Sequence, residues 1–359
     1  MRIAITADPI IPVPPELYGG IERVVDFLVR GLVERGHEVT LFAHPDSKVP
    51  ARLLPYGMPP HWGWWPRLGE LWQVGSKLWR MRNQFEIVHS FGRLAALLPV
   101  LPCRRLVKIQ SYQRDRVPWR SVRIATQLAG KSVCFTGCST SMYRERNSQG
   151  RFGGKWRTIF NGVDLTKYQF QPAVAPDAPV VFLGRLERIK GVHNAIAIAR
   201  AAGRRLIIAG NTVKSGPDMK YFDDEIAPHI DGRLVEYIGP VNDQKKNELL
   251  GRSAALLMPI EWEEPFGIVM VEALACGTPV IAFPRGSVPE VVRNGFNGFN
   301  CGTVPEAASA VERLREIKRC DCRGDVEKRF AQNIIVDGYE SLYKELLEAR
   351  SRQQEKGDR

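Results

Sequence analysis

The stretch EWEEPFGIVMVEALACGTPVIAF occupies Glu261–Phe283. Ahead of it, the apolar run Ala254–Met258 has the length and composition of a buried strand. The periodicity then predicts a helix over Phe266–Cys276, with Pro265 in its first turn, where a missing N–H costs nothing, and Gly277 as its stop. Val280–Phe283 reads as the next strand. Strand, helix, strand in so short a span is a crossover unit and implies a parallel sheet. The amides of Phe266, Gly267, Ile268 and Val269 would open the helix unpaired, a ready anion site. Glu264 stands just before that end and Glu272 about two turns in. Read alone, the stretch fits equally an ordinary amphipathic helix with a dipole-favoured Glu near its start.

Upstream, the same alternation recurs. Val180–Gly184, Leu206–Ala209 and Leu234–Ile238 read as strands, and Val192–Ala202 as a helix. In FLGRLERIKGVHNAI, Arg185 and Lys190 lie on a strand-to-helix loop, where two cations can clamp a diphosphate or simply face solvent. IFNGVDLTKY (Ile159–Tyr168) contains an Asn-Gly turn, and a domain boundary is expected near 165–178, where QPAVAPDAP looks like a linker. The first half repeats the architecture. Arg2–Ala7 is a strand, a helix runs from about Gly20 to Arg35 with Gly36 as its cap, and HEVTLFA is a second strand. Gly19 and Gly20 in YGGIERVV would admit a phosphate to the backbone at that helix start, or serve as a flexible turn. Further strands are expected at Glu86–His89, Leu106–Ile109 and Val133–Gly137, and a helix from about Ala331 with Tyr339, Leu342, Tyr343 and Leu346 on one face.

Length and composition bound the rest. The 359 residues suggest two domains, and 44% hydrophobic with 25% charged residues is an ordinary globular mixture. The apolar runs are far shorter than the roughly 20 residues a membrane span needs. MRIAITADPI lacks the apolar core of a signal peptide, and seven scattered cysteines argue against a disulfide framework, so a cytoplasmic location is expected. ATQLAGKS misses a P-loop at Ala125, no GxGxxG follows a strand, and the six His suggest no metal centre. The net charge of +12 lies wholly in residues 1–165, with 24 Lys and Arg against 12 Asp and Glu. Residues 51–160 alone carry 19 against 4. Such a surface attracts an anionic partner.

Taken together, YGGIE, NGVD, GRLxxxKG and E-x7-E with its PFG and EALACGTPVIA continuation, in this order along the chain, resemble the retaining glycosyltransferases of family 4. The resemblance implies the GT-B architecture, an α/β fold of two Rossmann-like doubly wound domains facing across a cleft. It places an acceptor domain at 1–168, a nucleotide-sugar domain at 169–330, and a C-terminal helix, 331–359, returning to the first. It implies that Arg185 and Lys190 bind the donor diphosphate, Glu272 the ribose and Glu264 the sugar hydroxyls. Val241 would meet the base through its backbone, Gly20 would face the diphosphate, and Phe266–Val269 would line the donor. By the same resemblance the donor is a nucleotide sugar, with a UDP-sugar favoured, and the acceptor a glycan or lipid-linked glycan. No cofactor or metal is implied. Many relatives carry a His after a first-domain strand; here LVKIQSYQ offers Gln110 and Ser111, and His89 stands on a neighbouring strand.

A sugar phosphorylase or a nucleotide-sugar epimerase of the same fold is the nearest alternative, and a basic nucleic-acid-binding protein the alternative of another class. No nucleic-acid-binding motif is present, so no nucleic acid is expected. The stretch HWGWWPRLGELWQVGSKLWRMR holds Trp62, Trp64, Trp65, Trp72 and Trp79. With the basic charge, it suggests peripheral docking on an anionic membrane face, with Leu71, Trp72, Leu78 and Trp79 expected near one helical face. Trp residues that fill a core or an acceptor pocket would read the same way.

Overall fold

The computed structural model describes residues 1–15, 19–57, 66–114, 117–145, 153–213, 216 and 218–357. Trp62, Trp64 and Trp65 lie outside the described residues. In chain order the strands are β1 (Arg2–Thr6), β2 (Glu38–Ala43), β3 (Arg52–Pro55), β4 (Ile87–Ser90), β5 (Val107–Tyr112), β6 (Val133–Gly137), β7 (Lys155–Thr158), β8 (Val180–Leu183), β9 (Leu206–Ala209), β10 (Val235–Tyr237), β11 (Ala255–Met258), β12 (Val280–Ala282) and β13 (Gly298–Asn300). The helices are α1 (Gly20–Glu34), α2 (Pro66–Met81), α3 (Trp119–Ala129), α4 (Val192–Ala201), α5 (Asp243–Arg252), α6 (Ile268–Ala275), α7 (Val288–Val291), α8 (Val304–Glu312), α9 (Arg319–Arg329) and α10 (Gln332–Gly357).

The strands form two parallel sheets because their apolar residues are buried on both faces, and only flanking helices can cover both. The first sheet runs β3-β2-β1-β4-β5-β6-β7. Ile3, Ile5, Ile87 and Ile109 point into one core with α1 and α10, while Ala4, Val88 and Phe135 point into another with α2 and α3. The second sheet runs β10-β9-β8-β11-β12-β13. In each, strand order reverses at one seam, β1/β4 in the first and β8/β11 in the second.

The chain divides into two units, Met1–Asn161 with Gln332–Arg359, and Gly162–Ala331. The division falls at Asn161 instead of after Tyr168, because the Tyr168 hydroxyl donates to Glu272 inside the second unit. The stretch QPAVAPDAP belongs to that unit, where the Gln171 amide donates to the Cys276 carbonyl and Arg319 donates to the Gln171 carbonyl. Helix α10 joins the first unit. Its Val336 packs where Gly31 of α1 has no side chain, and Arg35 forms ion pairs with Asp337 and Glu340. Lys344, Arg35 and His37 hold the Glu340 carboxyl down to about 2.

Three details differ from the sequence reading. The helix expected over Phe266–Cys276 begins at Ile268. Gly267 sits at φ 71°, in the left-handed region, so Pro265 and Phe266 precede the helix and lie outside its first turn. Strands β3, β7 and β13 carry no strong apolar signal, and each is a sheet edge. On α2, Leu78 is buried and Leu71 packs on the core, but Trp72 and Trp79 are exposed, so the four residues divide between opposite faces. No described helix is long and apolar enough to cross a membrane.

Candidate functional site

The seam of the second sheet decides where chemistry can gather. From β8 the chain runs through Gly184–Gly191 into α4, and from adjacent β11 through Pro259–Gly267 into α6. These two loops bear Arg185 and Lys190, and Glu264. They are pressed together at Gly191, whose φ is 74° and where an added Cβ would lie 1.9 Å from the Pro259 carbonyl oxygen. Only glycine fits such an approach. The Glu261 amide donates to the Ile189 carbonyl at 2.8 Å, closing the junction.

Lys190 Nζ donates to Glu264 Oε2 at 2.7 Å, and both side chains are largely buried. Trp262 Nε1 donates to the same oxygen at 3.0 Å, and the ammonium lies 4.3 Å from the Trp262 ring centroid. One carboxylate oxygen thus takes a charged and a neutral donor, and the indole face supports the cation as well. A third loop braces Glu264 from behind. Ser287 N–H donates to the Glu264 carbonyl, and Gly286 N–H donates to Glu263 Oε2 at 2.6 Å. A Cβ at Gly286 would lie 2.3 Å from the Glu264 carbonyl oxygen. The buried Ser287 hydroxyl has no hydrogen-bond partner among the described residues.

The other expected residues take varied positions. Arg185 is 48% exposed and pairs with Glu187 at 2.7 Å. Glu272, on α6, is buried and accepts at Oε1 from Lys246 Nζ and from the Tyr168 hydroxyl, both at 2.6 Å. Phe266 is a core side chain, edge-on to Phe330 with ring centroids 5.9 Å apart. Gly267, Ile268 and Val269 form the start of α6. Val241 sits half-buried between β10 and α5. Gly19 and Gly20 belong to the first unit, at the start of α1; Gly19 has φ 159°, and a Cβ there would lie 2.8 Å from Glu22 Oε2. Burial raises the Glu22 carboxyl above its ordinary range.

Three contributors escaped the sequence reading. Trp262 lies two residues before Glu264, inside the quoted stretch, but nothing in its type announces a hydrogen bond to a carboxylate. Tyr168 ends IFNGVDLTKY, and Lys246 is one of two lysines in a helix with few apolar residues. Both become visible only when α5 and α6 pack.

In the first unit His89 is fully buried. Its ring nitrogens lie 2.6 Å from the Tyr343 hydroxyl and 2.6 Å from Ser111 Oγ, and Ser111 also meets Thr136. Burial pushes the imidazole down to about 3, so it is neutral at ordinary pH and unavailable to a substrate. It cannot stand in for the first-domain His of the relatives. Gln110 is likewise buried, donating to the Gly92 carbonyl.

Two family models divide the chain between them. "Glycosyltransferase Family 4" matches residues 18–167, and "Glycosyl transferases group 1" matches residues 166–336. The chain belongs to the group 1 glycosyltransferases of family 4. It is 27% identical over 336 residues to a glycogen synthase of Mycobacterium tuberculosis, covering 80% of each chain. Among solved structures it resembles AviGT4, a glycosyltransferase involved in avilamycin A biosynthesis (26% identity, TM-score 0.71, 96% of this chain and 98% of that one). It also shares the fold of Anabaena HepE, solved with UDP and glucose (20% identity, TM-score 0.70, 96% and 100%). The glycosyltransferase therefore has the GT-B fold class, two Rossmann-like α/β domains built on parallel sheets.

Proposed function

We propose that this glycosyltransferase moves a sugar from a nucleotide-sugar donor, with a UDP-sugar the first candidate, to a glycan or lipid-linked glycan acceptor, with retention of configuration. The observation that carries the reading is the Lys190–Glu264–Trp262 cluster at the β8/β11 seam, beside the first turn of α6. HepE, of the same fold, was solved with UDP and glucose, which supports the choice of base.

The chemistry follows from charge. As the anomeric bond breaks, negative charge grows on the leaving diphosphate and positive charge on the sugar ring. Lys190, Arg185 and the amides of Gly267, Ile268 and Val269 would meet the first, and preorganised donors of this kind carry much of a catalytic effect. Glu264 would hold the sugar hydroxyls and steady the ring. Its bond to Lys190 keeps both groups in place before the donor arrives, and entry of the diphosphate would draw the ammonium away from the carboxylate. Glu272 would take the ribose hydroxyls beside the Lys246 ammonium. With two cations and a helix end to neutralise the diphosphate, transfer would proceed in EDTA. Val241 would offer its backbone to the base.

A panel of UDP-, GDP- and ADP-sugars, with release of nucleoside diphosphate followed in EDTA and the anomer of the sugar product read by proton NMR, tests this. Turnover of one donor with the anomeric configuration kept is expected. An inverted product would remove the retaining assignment, and activity restored only by magnesium would remove the metal-free one.

A further inference from the structure

We propose that the outer surface of the α2–α3 layer in the first unit docks on an anionic lipid bilayer. Two independent features of that surface point there, its exposed apolar residues and its unpaired charge.

The layer covers one face of the first sheet. Val74 and Leu78 of α2, Leu94, Leu97 and Val100 of the 3₁₀ segment Leu94–Val100, and Val122, Ala125 and Ala129 of α3 all enter the same core. That core already satisfies the layer's need for burial, yet large apolar side chains remain on its outside. Trp72 is 72% exposed, and Trp79, Leu98, Ile124 and Leu128 are exposed too. Of the six exposed large apolar residues among the described part of the first unit, these are five; Ile10 is the sixth. Trp72 and Trp79 are seven residues apart and share one side of α2, opposite Val74 and Leu78. Ile124 and Leu128, four apart, share the outer side of α3, opposite Val122 and Ala125. Segment Leu94–Val100 is packed tightly on α2, for a Cβ at Gly75 would lie 2.9 Å from Pro99.

The charge is one-signed. Residues 66–131 hold 13 Lys and Arg against 3 Asp and Glu, and α3 has no acidic residue. Arg80, Arg120, Arg123 and Lys131 are exposed and form no ion pair among the described residues. The Arg82 guanidinium lies 4.0 Å from the Trp79 ring centroid, a cation carried on an interfacial aromatic. Exposed indoles, aliphatic side chains and unpaired arginines on one layer suit the headgroup region, where rings and aliphatic groups enter the acyl boundary and cations meet lipid phosphate. A nucleic acid would use the cations but leave Leu98, Ile124 and Leu128 against water. A second copy of the chain would set this cationic face against itself.

Flotation of the full chain tests the proposal, with vesicles of phosphatidylglycerol in phosphatidylcholine against phosphatidylcholine alone, at low and high salt. The protein should float with the anionic vesicles at low salt, much less at high salt, and not with the neutral ones. Trp72→Ser/Trp79→Ser and Arg120→Glu/Arg123→Glu should each lower binding by about tenfold or more. Both pairs are exposed, so the fold should survive, which thermal melting checks. Met219→Ser, an exposed apolar residue of the second unit, should bind like the parent. Failure to float at low salt, equal binding to neutral vesicles, or undiminished binding by both double variants would overturn the proposal. So would finding that the same variants abolish oligonucleotide binding or self-association while vesicle binding persists.

Discussion

Lys190 and Glu264 are two charges from different loops that share one oxygen–nitrogen contact of 2.7 Å under the Trp262 ring. Because each neutralises the other, removing one leaves its partner largely buried and uncompensated. Glu264→Gln should therefore depress turnover by about a hundredfold or more, since on the proposed reading its work is done in the transition state. Glu272→Ala should instead weaken nucleotide binding, by about 1 kcal/mol, the ordinary worth of a hydrogen bond. Steady-state kinetics beside nucleotide titration separates the two, and a Glu264→Gln enzyme with full turnover would remove its assigned role. Gly191→Ala should be worse for the fold than either. The left-handed backbone alone costs about 1–2 kcal/mol with a Cβ, and the contact with the Pro259 carbonyl adds a clash that would force the two seam loops apart. Denaturant unfolding checks it; a variant as stable as the parent would contradict the loop junction described. Glu264, Glu272 and Lys190 could be named as candidates from sequence because E-x7-E and GRLxxxKG carry the family resemblance. Trp262, Tyr168 and Lys246 could not, because what makes them part of the site is the packing of β8, β11, α5 and α6 around it.

Buried strands and long helices declared themselves through unbroken apolar runs or a 3.6-residue period, whereas edge strands such as β7, Lys-Trp-Arg-Thr, carry the composition of a loop. The sequence pattern puts the start of α6 two residues early for a similar reason. Pro265 has the chemistry of a first helical residue, but Gly267 takes a positive φ that no sequence pattern reports. Helix α10 shows what sequence periodicity does foretell. Tyr339, Leu342, Tyr343 and Leu346 do lie in the first unit's core, yet the hydroxyls of Tyr339 and Tyr343 meet a polar network of His89, Ser111 and Thr136 that no helical pattern predicts. That network gives a pH dependence with a definite sign. His89 titrates near 6.5 when unfolded and is held down to about 3 by burial. Between those values the unfolded chain binds one more proton at this site, so stability falls as pH drops below about 6.5. The slope from this one group approaches about 1.4 kcal/mol per pH unit. Guanidinium unfolding at a series of pH values should show a shallower acid loss in His89→Gln than in the parent; parallel curves would mean that the imidazole is not the buried neutral group described.

The first half of the chain carries the whole net charge of +12, while residues 166–359 balance at 27 of each sign. The family models divide at nearly the same point, one ending at residue 167 and the other beginning at 166. On the proposed reading, nucleotide-sugar binding needs little net charge, because two cations and a helix end placed locally would let a neutral second unit hold a diphosphate. The parallel α/β character of both units was legible from crossover patterns, and their doubly wound architecture followed from the family resemblance. The acceptor was not, because the first unit's polar residues face its core or its surface without a spacing tied to any one chemistry. On the proposed reading a nucleoside diphosphate binds at the β8/β11 seam through Lys190, without a metal. Isothermal titration of UDP, GDP and ADP into the parent and into Lys190→Ala, all in EDTA, tests it most directly. One diphosphate, UDP first, should bind the parent, with affinity lowered about tenfold or more in Lys190→Ala, in line with the roughly 1.5–3 kcal/mol of a charged hydrogen bond. Binding of none of the three to the parent, or equal affinity in the variant, would contradict the account.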